Sequence, residues 1–402
     1  MRSDPLRRRA CPTPKWHDLA IMKVLVVSTP GSGHVNPLLP LVEAFLAGGD
    51  QVTVAAAAEA APLVERTAAR FVPAGNSEGE WFGRLQARIR GNPGDGIAPE
   101  RINHYFLPRL FGEIATDDMI DDVVACGREF DPDLVLFETY ALAGPLAADL
   151  LGVPSVHQLL SSIPDHGVME LVDDAVSPLW GSFGRETPGY AGIYRGVTIE
   201  ICPQSLESLR VPSGDRLMLQ PAPLPRMAPQ QSTPPLVYVT LGTFFNANLD
   251  IFRAILDGLA DEPIAVVATI GTDQDPAGLG PVPGNARVER FIPQATLLPT
   301  CAAVVHHGGA GTTFGTLAHG LPQVVIPQGA DNFDNAAMVE RACAAVVLRP
   351  GEVTAPNVHH AVRRILNEPG YSEAAARAAA EIAAMPAPEA VADDLRARYG
   401  NG

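Results

Sequence analysis

Residues 302–332 read AAVVHHGGAGTTFGTLAHGLPQVVIPQGADN. A short β-branched run ends in His306 and His307, a glycine-rich turn follows, and a helical stretch leads into a second apolar run, QVVIP. Strand, turn, helix and strand in that order specify a parallel α/β unit, because parallel neighbours need a crossover and a helix supplies it. The turn falls where a helix N-terminus offers free N–H groups and the positive end of its dipole, and glycine lets a ligand approach the backbone. No Arg or Lys lies in the turn. An anion such as a diphosphate would therefore meet N–H groups, hydroxyls and one imidazole.

The same pattern runs outward in both directions. Residues 23–28 (KVLVVS), 37–49 (PLLPLVEAFLAGG) and 51–57 (QVTVAAA) make strand, helix and strand, with Gly48 and Gly49 as the helix stop. Residues 133–156 repeat the unit. A run with six prolines, QPAPLPRMAPQQSTPPL (220–236), interrupts it, and the alternation restarts at VYVTLG (237–242). The chain is thus expected to be α/β, with two Rossmann-like doubly wound parallel sheets facing a cleft. The boundaries are 1–21 as an extra tail, 22–219, a linker at 220–236, 237–371, and a C-terminal helix within 372–402 that packs back across the domains.

Composition narrows the function. Of 402 residues 47% are apolar and 18% charged, and the net charge is −16. The first 21 residues hold five basic and two acidic side chains, so the acidic excess lies in the remainder. Such a surface repels nucleic acid and anionic membrane. The five cysteines are scattered without a CxxC pair, which suits a reducing compartment, and a cytoplasmic location is expected. Arg7, Arg8 and Arg9 are not followed by an apolar core, so no export signal is read there. The apolar runs are too short to span a membrane.

In GSGHVNP (31–37), between the first strand and first helix, Asn36 stands where a dinucleotide fingerprint needs its third glycine. A nicotinamide cofactor is therefore not expected. His34 falls on the strand's carboxyl side, where open α/β sheets bind ligands, and a helix dipole there would keep its ring neutral. Glu138 closes DLVLFE at another strand end and can orient the imidazole, as an acid does beside a catalytic His. No GxSxG nucleophile accompanies the pair, so direct proton removal from a hydroxyl is the chemistry it suits. Gly242 and Thr243 end the strand VYVTLG as further phosphate contacts, and Asp331 with Asn332 suits either sugar hydroxyls or helix capping. Segments 76–112 and 161–196 hold Trp81, Phe82 and Trp180, candidates with Tyr140 for an apolar acceptor wall. The DQD at Asp273 and Asp275 lacks a neighbouring His or Glu ligand, so it is read as a solvated loop and no metal is expected.

Together, GSGHVNP and FIPQ…HHGGAGT…PQ..DN resemble the family 1 nucleotide-sugar glycosyltransferases of GT-B fold. The nearest flavour is the bacterial branch that decorates macrolides, enediynes and aromatic polyketides. The resemblance implies His34 as base and Glu138 as its orienting acid. It places Phe291 on the nucleobase, Ile292 at the base edge, and His307, Gly311, Thr312 and Thr243 on the diphosphate. Gln294, Gly309 and Gln328 join the donor site, and Asp331 with Asn332 holds sugar hydroxyls. Glu138 replaces the usual Asp, Phe291 the usual Trp, and Asn332 the Gln of glucose transferases.

The last of these departures favours a dTDP-deoxysugar over UDP-glucose as co-substrate for the inverting, metal-independent transfer to an apolar aglycone hydroxyl that the resemblance implies. A UDP-glucose-dependent enzyme modifying small hydrophobic acceptors and a non-catalytic GT-B binding protein are the alternatives. A homodimer is compatible with the apolar first-domain segments.

Overall fold

The computed structural model describes residues 21–88, 97, 101–207, 209, 212, 214–221, 232–242 and 248–400. Thr243, most of the proline-rich linker and the 1–20 tail lie outside them.

Seven strands form the first sheet: β1 (Lys23–Val27), β2 (Gln51–Ala56), β3 (Arg70–Pro73), β4 (Leu134–Glu138), β5 (Ser155–Gln158), β6 (Val197–Glu200) and β7 (Arg216–Met218). Their spatial order is β3-β2-β1-β4-β5-β6-β7, with every pairing parallel. The second sheet holds β8 (Leu236–Thr240), β9 (Ala265–Thr269), β10 (Ala286–Glu289), β11 (Ala303–His306), β12 (Gln323–Val325) and β13 (Ala345–Val347). Its order is β10-β9-β8-β11-β12-β13, again all parallel. Both central strands are buried from end to end or nearly so, which explains why they read as unbroken apolar runs rather than alternating ones.

In each sheet the chain winds one way from its first strand and then the other. The crevice where the order reverses is where such sheets take ligands. It lies between β1 and β4 in the first sheet and between β8 and β11 in the second.

The end of the chain returns to the first domain. The sequence suggests one helix over 372–398, but the structure has two, Pro369–Ala384 and Pro388–Tyr399. Pro386 and Pro388 cannot donate the backbone hydrogen bonds that a continuous helix needs. The last helix packs on the helix Leu39–Ala47. Arg396 is buried there, its Nε 2.6 Å from Asp50 Oδ2 and its Nη2 donating to the Ala44 carbonyl at 3.1 Å. A Cβ at Gly48 would lie 1.9 Å from that guanidinium, so the glycine leaves room for the ion pair. Pairing and full hydrogen bonding are what make a buried Arg tolerable.

One apolar cluster crosses the domain boundary, running from Leu38 and Phe45 through Phe314, Leu317 and Met338 to Leu395. No helix among the described residues is long and apolar enough to cross a membrane.

Candidate active site

At the first switch point, β1 pairs with β4 in the register Val27↔Phe137. The chain leaving β1 therefore passes beside Glu138, the last residue of β4. His34 sits in the four-residue helix Ser32–Val35 that follows β1, and its Nδ1 is 3.2 Å from Glu138 Oε1. At that distance the contact is an ion pair that falls short of full hydrogen-bond geometry. Glu138 is fully buried and otherwise saturated. Its Oε1 accepts from Thr29 N at 3.1 Å and Thr29 Oγ1 at 2.9 Å, and its Oε2 accepts from Tyr140 N at 2.7 Å.

Burial pushes the Glu138 carboxyl up, yet His34 and the N–H groups of Tyr140 and Thr29 outweigh it and hold it below the usual carboxylate range. Burial pushes His34 down, but Glu138, with Glu78 and Asp331 behind it, outweighs this and raises the imidazole above its ordinary value. That corrects the expectation of a ring held neutral by a helix dipole. His34 lies in the last turn of a four-residue helix, away from any strong positive end. Its side chain keeps 22% of its surface exposed, enough for a substrate to reach it.

Aromatic rings flank the imidazole. Phe111 and Tyr140 stack with centroids 5.0 Å apart, at 5.9 Å and 6.0 Å from the His34 ring. Phe111 belongs to the π-helix Pro108–Ala115, a rare geometry frequent at functional sites. Trp81 and Trp180 do not share this wall. They are 0% and 1% exposed, within the first-domain core, and the Trp81 Nε1 donates to Asp118 at 2.9 Å. An indole without exposed surface cannot touch an acceptor, so packing is their role. Phe82 is half-buried against the same core.

The second switch point carries the glycine-rich turn. His306 ends β11, and its Nδ1 accepts from Gly308 N at 3.0 Å, so Nε2 is the donor to Gln323 Oε1 at 2.6 Å. Burial holds this ring neutral, with its pKa near 4. His307 turns the other way. A Cβ at Gly242 would stand 2.5 Å from its Cε1, and one at Gly309 would stand 2.4 Å from its Nε2. Two glycines thus cradle the ring, and burial pushes its pKa down to about 3.

Gly309 opens the helix Ala310–Ala318 without a side-chain cap, which leaves the first N–H groups to a ligand. A Cβ at Gly311 would meet nothing within 4 Å. Gln294 Nε2 donates to Thr312 Oγ1 at 2.9 Å. Phe291 is 65% exposed just beyond β10, a free aromatic face suited to stacking, while Ile292 beside it is partly buried. Gln328 Nε2 and Asn332 Oδ1 are buried polar atoms without a protein partner, a cost that a bound ligand would relieve.

Asp331 stands at the N-cap of the helix Asn332–Arg341 but makes no capping bond. Its carboxylate instead accepts from Asn335 Nδ2 at 2.9 Å and Asn332 Nδ2 at 3.3 Å. Asp331 also acts electrostatically on His34, and its neighbours Ala330 and Asn335 are hydrogen-bonded to Asn103 and Ser161 of the first domain. Asp275, by contrast, caps the short helix Pro276–Leu279 through Ala277 N at 3.0 Å.

Residues 47–164 match the N-terminal domain model of the erythromycin biosynthesis protein CIII-like family, and residues 253–397 match its C-terminal domain model. Aklavinone 7-beta-L-rhodosaminyltransferase of Streptomyces galilaeus is 31% identical over 92% of this chain and 94% of its own length. The chain belongs to the family 1 GT-B glycosyltransferases of the antibiotic and natural-product branch. TDP-daunosamine transferase DnrS of Streptomyces peucetius is similar at 30% identity over 93% of this chain and 92% of its own. The crystal structure of the Streptomyces sp. SF2575 glycosyltransferase SsfS6 with thymidine diphosphate superposes with a TM-score of 0.76. It shares 27% identity and covers 94% of this chain and 99% of that one. The protein is a sugar transferase that uses a nucleotide-sugar.

In this glycosyltransferase, sequence reasoning missed Phe111, Glu78, His306 and Asn335. The resemblance put His307 at the turn; what the sequence did not reveal is that the His306 ring is held between Gly308 N and Gln323.

Proposed function

We propose that this transferase moves a deoxysugar from a dTDP donor to a hydroxyl of an apolar polycyclic or macrocyclic aglycone, with inversion and without a metal. The observation that carries the reading is the buried, saturated Glu138 beside His34, facing Asp331 of the second domain. With Glu138 ionised, the proton of the imidazole sits on Nδ1 and the lone pair is on Nε2. Nε2 takes the acceptor's proton while Glu138 stabilises the imidazolium. The freed oxygen bonds to the anomeric carbon from the face opposite the diphosphate, and the bond to the diphosphate oxygen breaks with its electrons leaving on that oxygen.

The N-terminus of Ala310–Ala318, with Thr312 and His307, receives the departing charge. A diphosphate beside His307 would favour the protonated ring, in which both nitrogens donate, against the burial that disfavours it. Phe291 stacks on the base, Ile292 meets its edge, Gly242 adds a phosphate contact, and Asp331 with Asn332 holds the sugar. Phe111 and Tyr140 form the acceptor wall beside the base. The deoxysugar names of the relatives, and Asn332 in place of Gln, support dTDP over UDP. A non-catalytic binding role would leave the His34–Glu138 pair without use.

The test is transfer from dTDP-sugars to a panel of aromatic polyketide and macrolactone aglycones. Products should carry the inverted anomeric configuration. His34→Ala should lower turnover by about 10²–10⁴-fold with the dissociation constant for dTDP unchanged. Retained configuration, or wild-type turnover in His34→Ala, would remove His34 from this role.

A further inference from the structure

The amide of Asn335, in the helix Asn332–Arg341, uses both of its donors and its oxygen on groups from three places in the chain. Its Nδ2 donates to the Asp331 carboxylate at 2.9 Å and to the Gly308 carbonyl at 2.8 Å, and its Oδ1 accepts from Ser161 Oγ of the first domain. The residue has no exposed surface, and Ser161 is 7% exposed. Flipping the amide would set Oδ1 against a carbonyl and a carboxylate, so its orientation is fixed by chemistry. One side chain therefore joins the diphosphate turn, the acid assigned to the sugar and the acceptor domain.

A second tie brackets the same acid. Asn103 Nδ2 of the first domain donates to the Ala330 carbonyl at 2.8 Å. Ala330 holds φ +52°, a conformation an alanine adopts only when its surroundings impose it.

We propose that Asn335 is a positioning residue that sets the Asp331 carboxylate against the donor sugar, with Ser161 of the acceptor domain bracing its amide from the other side. The inference rests on the donor reading above, in which Asp331 holds sugar hydroxyls. Asn335 touches no substrate and acts through Asp331. Its loss differs from general loosening, because the nucleotide is held by other residues while the sugar depends on this carboxylate.

The experiment measures dissociation constants for dTDP and dTDP-L-rhamnose, a 6-deoxysugar donor, by calorimetry, with melting temperatures, on the full chain. Wild type should bind dTDP-L-rhamnose more tightly than dTDP. In Asn335→Ala, dTDP-L-rhamnose should lose about tenfold more affinity than dTDP, the scale of a lost hydrogen bond to a charged group. Ser161→Ala, which keeps both Asn335 donors, should move the ratio in the same direction by less. Ser161→Thr, which keeps the hydroxyl, should restore it.

Equal weakening of both ligands, or an unchanged ratio in Asn335→Ala, overturns the proposal. Should Asn335→Ala fail to fold, an unchanged ratio in Ser161→Ala overturns it instead. If wild type binds dTDP but gains nothing from the deoxysugar, the sugar role of Asp331 fails and this inference with it, while the nucleotide site stands. If wild type binds no dTDP, the donor reading itself fails.

Discussion

Burial and charge pull the His34 imidazole in opposite directions, and the carboxylates win. A base with a raised pKa is protonated over a wider range, so kcat/KM should fall as pH drops through a value above 6.5, the ordinary histidine value. Glu138→Gln keeps the shape but removes the main raising charge. The acidic limb should then move to lower pH, and plateau turnover should drop by on the order of 10²-fold or more. A pH profile of kcat/KM for both proteins decides it, and an unmoved limb would mean that Glu138 does not set the pKa of His34. Both residues were legible in the sequence because each follows an apolar strand on its carboxyl side. Phe111 and Glu78 were not, since only tertiary packing brings them to the imidazole. Trp81 and Trp180 show the converse: an aromatic residue in an irregular segment reads the same whether it lines a cleft or fills a core.

The turn between β11 and the helix Ala310–Ala318 works as an element whose glycines have different tasks. Gly309 makes room for the His307 ring, whereas nothing stands near Gly311 on the protein side. Gly309→Ala should therefore displace His307 and weaken dTDP by about tenfold or more, lowering the melting temperature as well. Gly311→Ala should weaken dTDP while leaving the melting temperature unchanged, because only a ligand would meet the new methyl. Calorimetry with thermal melts separates the two, and full dTDP affinity in Gly311→Ala would mean that the diphosphate does not approach that position. The strand–turn–helix order of this element was written in the β-branched run and the glycines. The break between the two C-terminal helices was underread, although Pro386 and Pro388 stood in the sequence. Asn335 was hidden because a polar residue inside a helix gives no sign of what its amide meets.

At the scale of the molecule, two sheets of like topology each contribute a switch point. One carries His34 and Glu138 and the other the glycine-rich turn, and Asp331 of the second domain acts electrostatically on His34. A cluster of apolar side chains and the buried Arg396–Asp50 pair hold the parts together. The doubling was readable from the restart of alternation after the proline-rich run. The C-terminal segment was expected to pack back across the domains, but the pair that fastens it was not readable, because Arg396 and Asp50 are 346 residues apart and no local pattern links them. The central claim is that the second switch point is a metal-free dTDP-sugar site. It is tested most directly by thermal melts of the whole protein with dTDP, UDP or GDP in the presence of EDTA. At about 100 times its dissociation constant, a bound nucleotide adds roughly 2.7 kcal/mol, readily seen as a raised midpoint. The account predicts a rise with dTDP that exceeds the rise with UDP and needs no metal. No shift with any nucleotide, a shift that appears only when Mg²⁺ is restored, or a larger shift with UDP would contradict it.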